Sequence, residues 1–183
     1  LYVSGDLRLY KKAIKDFALS TFISPGIMAV APGSLMQEIA DYSLQWPSLL
    51  LNYSNHSGDL DFLKKMYPLA EELLKYYQKY QRDDGLLEKV EEQWNLVDWP
   101  DNLRDGYDFD LSKPVGPGCH NVVNAFYCGM VKTINKIRDI LNRSYQNKFP
   151  QLKQTFIETF YDENRKLFTD AETSEHCSLH GNI

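Results

Sequence analysis

Cysteine is scarce in this sequence: Cys119, Cys128 and Cys177 are the 3 thiols in 183 residues, and no two form a Cys-x-x-Cys pair. An odd, widely spaced set excludes a disulfide framework and lacks the ligand spacing of a zinc site, so the three read as small buried hydrophobes. His176, Cys177 and His180 lie close together, but no further ligands can be found for a metal, and no metal or cofactor is expected. Basic blocks are also missing. The 20 lysines and arginines are dispersed among 25 acidic residues for a net charge of −5, which argues against a phosphate-tracking surface and so against nucleic acid as a partner. No run approaches the roughly 20 apolar residues of a membrane span, and no membrane partner is expected. The first residues, with Asp6, Arg8, Lys11, Lys12, Lys15 and Asp16, do not make a signal peptide. Neither a G-x-S-x-G elbow nor a G-x-x-x-x-G-K phosphate loop occurs.

Aromatic residues are plentiful instead, at 13% of the chain with 12 Tyr, 9 Phe and 3 Trp, while the hydrophobic share of 43% and charged share of 25% are ordinary for a globular protein. The chain starts at Leu1 and stops abruptly in 177-CSLHGNI-183, so both ends read as cut.

A repeat organises the chain. Ser4-Gly5-Asp6-Leu7 followed by Lys11-Lys12 recurs as Ser57-Gly58-Asp59-Leu60 followed by Lys64-Lys65. Glycine turns the chain and the aspartate caps exposed N–H groups, so each copy opens a helix. Apolar spacing then predicts helices over 60–80, where Phe62, Leu63, Met66, Leu69, Ala70, Leu73, Leu74, Tyr77 and Tyr80 mark one face, and over 122–142, along Val123, Phe126, Met130, Ile134, Ile137 and Leu141. Others are predicted over 6–22, 36–54 and 149–160. Pro68 should kink the 60–80 helix unless that helix begins later, and Pro47 falls inside the 36–54 segment. No stretch shows sustained period-two alternation between turn signals, so the expected fold class is all-α.

The connections are uneven. Those at 55–58 and 143–148 are short, whereas 23–35 and 83–118 are long, and antiparallel succession puts both long ones on the same rim of a helical array. The second contains 91-EEQWNLVDWPDNLRDGYDFD-110, acidic and Trp-bearing without apolar periodicity. A sugar suits such a mixture: carboxylates match its hydroxyls, and its C–H faces sit on tryptophan. The bland alternative is that Trp94 and Trp99 staple the loop to the helices while the aspartates, Asp98 and Asp101 among them, cap helices and bind water. Asp41 and Gln45, four apart and on a face with Glu38, form a second candidate group. His120 and Asn121 begin the 122–142 helix, where capping accounts for Asn121, and His180 is placed on the first turn of a further helix.

The ordered succession Gly26-Ile27, Ala31-Pro32, 39-IADYSLQW-46, 57-SGDLDFLKKMYP-68, 84-DGLL-87, Trp94 and 98-DWPD-101 resembles the catalytic domain of bacterial α-L-rhamnosidases, glycosidases built as a six-hairpin (α/α) toroid. The resemblance covers most of the chain. It implies a twelve-helix ring of which residues 1–183 supply about five helices from the middle, with the remainder of the parent domain as partner. It implies an inverting glycosidase in which one glutamic acid protonates the leaving oxygen and another activates water. The family's acid lies in an Asp-x-x-x-Arg-Glu segment that this chain lacks, and its base follows the segment that 178-SLH-180 resembles, so no catalytic residue is expected here and the isolated chain should be inactive. What carries over is sugar contact: Asp41, Trp94, Asp98, Trp99, Asp101 and His180, with a rhamnose-containing carbohydrate as ligand. Many members carry tryptophan where this chain has Ile39. Two alternatives stand beside this reading, another six-hairpin glycosidase of glucoamylase-like or trehalase-like type, and a non-enzymatic helical-repeat interaction module.

Overall fold

The computed structural model describes residues 5–20, 40–90 and 118–183. Five α-helices hold most of these residues: α1 (Arg8–Leu19), α2 (Ala40–Ser57), α3 (Leu60–Tyr77), α4 (Asn121–Ile140) and α5 (Phe149–Phe160). They are the helices expected from apolar spacing, with shifted ends. A two-residue antiparallel pair follows α5, with β1 (Tyr161–Asp162) against β2 (Leu167–Phe168) and Tyr161 opposite Phe168. Strands this short carry no period-two signal.

The repeated glycine–aspartate motif forms helix starts, as its chemistry dictates. Gly58 adopts φ 68° and Gly5 φ 66°, left-handed backbone that suits a residue without Cβ. Asp59 then caps α3: its Oδ1 accepts from the Phe62 amide at 3.0 Å. Asp6 accepts from the Arg8 amide at 2.9 Å and also grips the Arg8 guanidinium. The two copies meet in space, because Lys11 of the first places its ammonium 2.6 Å from Asp59 of the second. Tyr53, late in α2, donates to the same carboxylate at 3.2 Å, and Lys11 lies 4.6 Å from the centre of the Phe62 ring. One aspartate therefore joins the start of α1, the end of α2 and the start of α3.

Two prolines lie inside helices. Pro68 sits in α3, which runs through it from Leu60, so the helix does not begin later. Pro68 is exposed, as is Lys64 four residues earlier, and a carbonyl deprived of its helical partner there faces water. Pro47 sits in α2. A mid-helix proline costs about 3 kcal/mol, and here it is offset by burial of Leu44, Trp46, Leu50, Leu51 and Tyr53 along the same helix. The connection predicted over 55–58 is shorter than expected, because α2 continues to Ser57 and only Gly58 and Asp59 separate it from α3.

Side-chain contacts fix the directions. The Trp46 indole donates to the Ile14 carbonyl at 3.1 Å, while Lys11 meets Tyr53 further along, so α1 and α2 are antiparallel. Ser48 and Thr133 share a hydrogen bond of 3.2 Å between α2 and α4. Arg138, near the end of α4, is bidentate to Glu71 of α3, at 2.7 Å for each bond. Lys132 lies over the Phe149 ring at the start of α5. Thus α2 and α4 run parallel side by side, and α1, α3 and α5 run the other way against them. The core between them is built from Ile14, Trp46, Leu50, Leu63, Leu73, Tyr77, Tyr127 and Ile134. Of the predicted faces, Leu69 in α3, Tyr80 just beyond it, Phe126 in α4 and Leu141 just beyond that helix are only partly buried.

The Asp59 carboxyl is held below the usual carboxylate range, first by the Lys11 ammonium and then by the Phe62 amide. A group with a lower pKa folded than unfolded contributes stability above its unfolded pKa, and that stability is lost as pH falls through the folded value. Replacing Asp59 by Ala is expected to lower Tm by a few degrees at neutral pH, and the difference from the wild type should shrink below about pH 4. Asp59→Asn keeps a capping acceptor and should lose less; thermal melts of both variants across pH check this.

Candidate functional site

The ends of the two long connections lie at one end of the helices. Residue 20 follows α1 and residue 40 begins α2, while 78–90 follow α3 and 118–120 precede α4. Residues 161–182, after α5, return to the same end. The opposite end carries the tight turn at Gly58–Asp59 and the link 141–148.

After α3 the chain makes a 3-10 turn (Gln78–Tyr80) and a narrow loop in which Gln81 pairs with Leu87. The turn is made by Gly85 at φ 97° and by Asp84, whose Oδ1 accepts from the Leu86 amide at 3.0 Å. Arg82 lies between Asp84 and Glu172, donating to Glu172 at 2.8 Å, and Glu172 in turn accepts from the Cys119 amide at 3.2 Å. The carboxyls of Asp84 and Glu172 are both held low, chiefly by Arg82. Cys119 itself is fully buried, and burial pushes its thiol up to about 12, the mark of an inert packed cysteine.

Asn124 then closes the arrangement. This residue is fully buried on α4; its Oδ1 accepts from the Leu87 amide at 2.7 Å, and its Nδ2 donates to the carbonyls of Leu87 and His120, each at 2.9 Å. Glu88 and Cys119 pair next to it. The two flanks of the stretch 91–117 are thereby clamped side by side at the start of α4.

Residues after β2 complete the rim. The sequence pointed to Asn121 as a cap for α4, but the cap position is His120, and Asn121 lies in the helix with Nδ2 donating to the carbonyls of Thr169 and Gly181, both at 3.1 Å. Buried Asp170 accepts from Ser178, and its Oδ2 lies 2.5 Å from His176 Nδ1. His180 stands half-buried in a 3-10 turn (His180–Asn182). Asn182 holds that turn through both backbone groups of Phe168.

Of the residues singled out from sequence, His180 reaches this rim. Asp41 has its backbone in the first turn of α2, at the same end. Trp94, Asp98, Trp99 and Asp101 lie outside the described residues, as does Glu38; Gln45 is exposed on α2. Asn124, Asp170 and Arg82 escaped sequence reasoning, and Asn121 entered it only as a cap. Asn121 and Asn124 did carry a signal, since an amide on the face that continues through Tyr127 and Val131 must find partners when buried. Among the described residues, no group of three or more His, Cys, Asp or Glu side chains is placed to hold a metal ion, and no helix is long and apolar enough to cross a membrane.

Parallel inner helices backed by antiparallel ones, with long connections at one end and tight turns at the other, make up part of an α/α toroid. The chain belongs to the family described as the bacterial alpha-L-rhamnosidase 6 hairpin glycosidase domain, whose profile matches residues 1–183. Among solved structures it is similar to a GH78 family rhamnosidase of Bacillus sp. GL1, with TM-score 0.73 and 17% identity over 91% of this chain and 17% of that one. It is also similar to a rhamnosidase from Klebsiella oxytoca with rhamnose bound, with TM-score 0.67 and 16% identity over 94% of this chain and 33% of that one. At these identities the likeness is one of fold, and the chain spans a third or less of either protein. No curated relative matches the chain.

Replacing Asn124 by Leu would leave the Leu87 amide and carbonyl without their partner in a buried site, while the His120 carbonyl keeps the backbone amide of residue 124 at 3.2 Å. It is expected to destabilise the protein by about 2–3 kcal/mol, measured as a lower urea midpoint. Hydrogen exchange should quicken selectively at the Leu87 amide and its neighbours.

Proposed function

We propose that this chain is the middle part of an inverting α-L-rhamnosidase domain and provides sugar-binding groups, with the proton-transfer glutamates on other parts of the parent. The observation that carries the reading is the clamp at Asn124. It holds the flanks of the acidic, Trp-bearing stretch beside α4 and the His180 turn, at the same end as the start of α2 with Asp41. Asp98, Trp99, Trp94 and Asp101 would then meet a terminal 6-deoxy sugar together with Asp41 and His180. Tryptophan offers a C–H-stacking face, and carboxylates accept from ring hydroxyls. Rhamnose, the sugar bound by the Klebsiella oxytoca relative, supports that ligand class.

A repeat module for protein interaction would have connections of constant length. Here two residues join α2 to α3, whereas residues 78–120 lie between α3 and α4, which favours the glycosidase. Glucoamylase-like or trehalase-like enzymes are separated from it by substrate profile.

The full-length protein is expected to release the aryl group from an aryl α-L-rhamnoside in preference to aryl glucosides, while residues 1–183 alone show no turnover. Asp98→Asn in the full-length protein should lower kcat/KM by roughly 100-fold, about 2.7 kcal/mol of transition-state stabilisation. An unchanged rate would return Asp98 to a solvated loop, and a preference for glucosides would move the protein to the other toroid enzymes.

A further inference from the structure

Asp170 is a carboxyl group buried at the rim that no sugar contact uses. It is 0% exposed. Its Oδ1 accepts from the Ser178 amide at 2.8 Å and from Ser178 Oγ at 2.7 Å, and its Oδ2 lies 2.5 Å from His176 Nδ1. Its own amide donates to the His176 carbonyl at 2.8 Å, and its carbonyl accepts from the Asn121 amide at 2.8 Å. Withdrawing a carboxyl group from water is costly unless its lone pairs are met. Here His176 and Ser178 meet both of its oxygens, and the short stretch 176–178 is folded round the carboxyl group and returned to the start of α4.

The turn that carries His180 comes next and has no slack. A Cβ on Gly181 would stand 2.7 Å from Asn121 Nδ2 and 3.1 Å from Asp170 Oδ1. Ser178 Oγ also accepts from the Gly181 amide at 3.1 Å. The Asp170 carboxyl group, the Ser178 hydroxyl and the Gly181 backbone therefore form one continuous chain of hydrogen bonds ending beside His180.

We propose that Asp170 is a positioning residue for the sugar site: through Ser178 and the Gly181 turn, its carboxyl group sets where His180 stands at the rim. This rests on the reading of His180 as a sugar contact. Asp170 touches no sugar itself. Losing it displaces a contact made alike in the ground and transition states, which raises KM while leaving kcat nearly unchanged.

The test is a double-mutant cycle on the full-length protein with an aryl α-L-rhamnoside. Asp170→Ala is expected to raise KM about tenfold with kcat changed less than about threefold, and to add nothing further to KM in a His180→Ala background. Asp170→Asn, which keeps an acceptor for Ser178, should restore most of the loss. Should Asp170→Ala fail to fold, Ser178→Ala enters the same cycle in its place, with the same non-additivity expected. Additive effects on KM, or a loss confined to kcat, would overturn the positioning role while leaving the sugar site standing. A wild-type protein that turns over no rhamnoside would overturn the sugar reading and this role with it.

Discussion

The structure depends on a single buried amide. Asn124 spends its side chain on both backbone groups of Leu87 and on the His120 carbonyl, so the chain leaving α3 and the chain entering α4 are held as neighbours. Closing a long loop carries an entropic cost that grows only slowly with its length. Once its ends are fixed, a stretch as long as 91–117 adds little further cost. Three hydrogen bonds in a dry core are a suitable means, because an unmet amide or carbonyl there is penalised more heavily than a met one is rewarded. The clamp is thus specific as well as stabilising: a shift of one residue along α4 would strand both backbone groups of Leu87.

The opposite end of the helices works by charge. Asp59 joins three helices through its cap, the Lys11 ammonium and the Tyr53 hydroxyl. Arg138 reaches Glu71 in a two-point ion pair that is half shielded from water. Burial by itself would raise the Glu71 carboxyl, yet hydrogen bonds from Arg138 and Tyr67 hold it low, so the pair outweighs its own desolvation. Buried amides at one end and shielded ion pairs at the other leave the helices little freedom to slide, and the residues at the rim inherit that rigidity.

Much of this was legible in the residues. Helix positions followed from apolar steps of three and four, and the glycine–aspartate repeat marked two helix starts correctly because capping is local chemistry. The prolines misled in part, since a lone residue's preference gives way to the burial of Trp46, Leu50 and Leu63 around it. Partners distant in sequence were not legible. Nothing in the sequence around Asp170 names Ser178, and Arg82 gives no hint of Glu172, because those pairings exist only once α5 and β2 have brought the chain back to α4. Asn121 was misread as a cap for the same reason: its acceptors, Thr169 and Gly181, lie far along the chain. The family came from the order of short motifs, each weak by itself, and its profile spans the whole sequence.

The asymmetry between the two helix ends also bears on how such a domain can change over generations. Two residues, Gly58 and Asp59, join α2 to α3, and the Asp59 cap and left-handed Gly58 leave no place there for an insertion. At the other end a clamp holds the flanks of 91–117 independently of what lies between them. Lengthening or rewriting that stretch would leave the helices in register, whereas a single added residue at Gly58 would rotate everything after it. Sequence change can therefore accumulate at one end of the helices while the other end stays fixed as their frame.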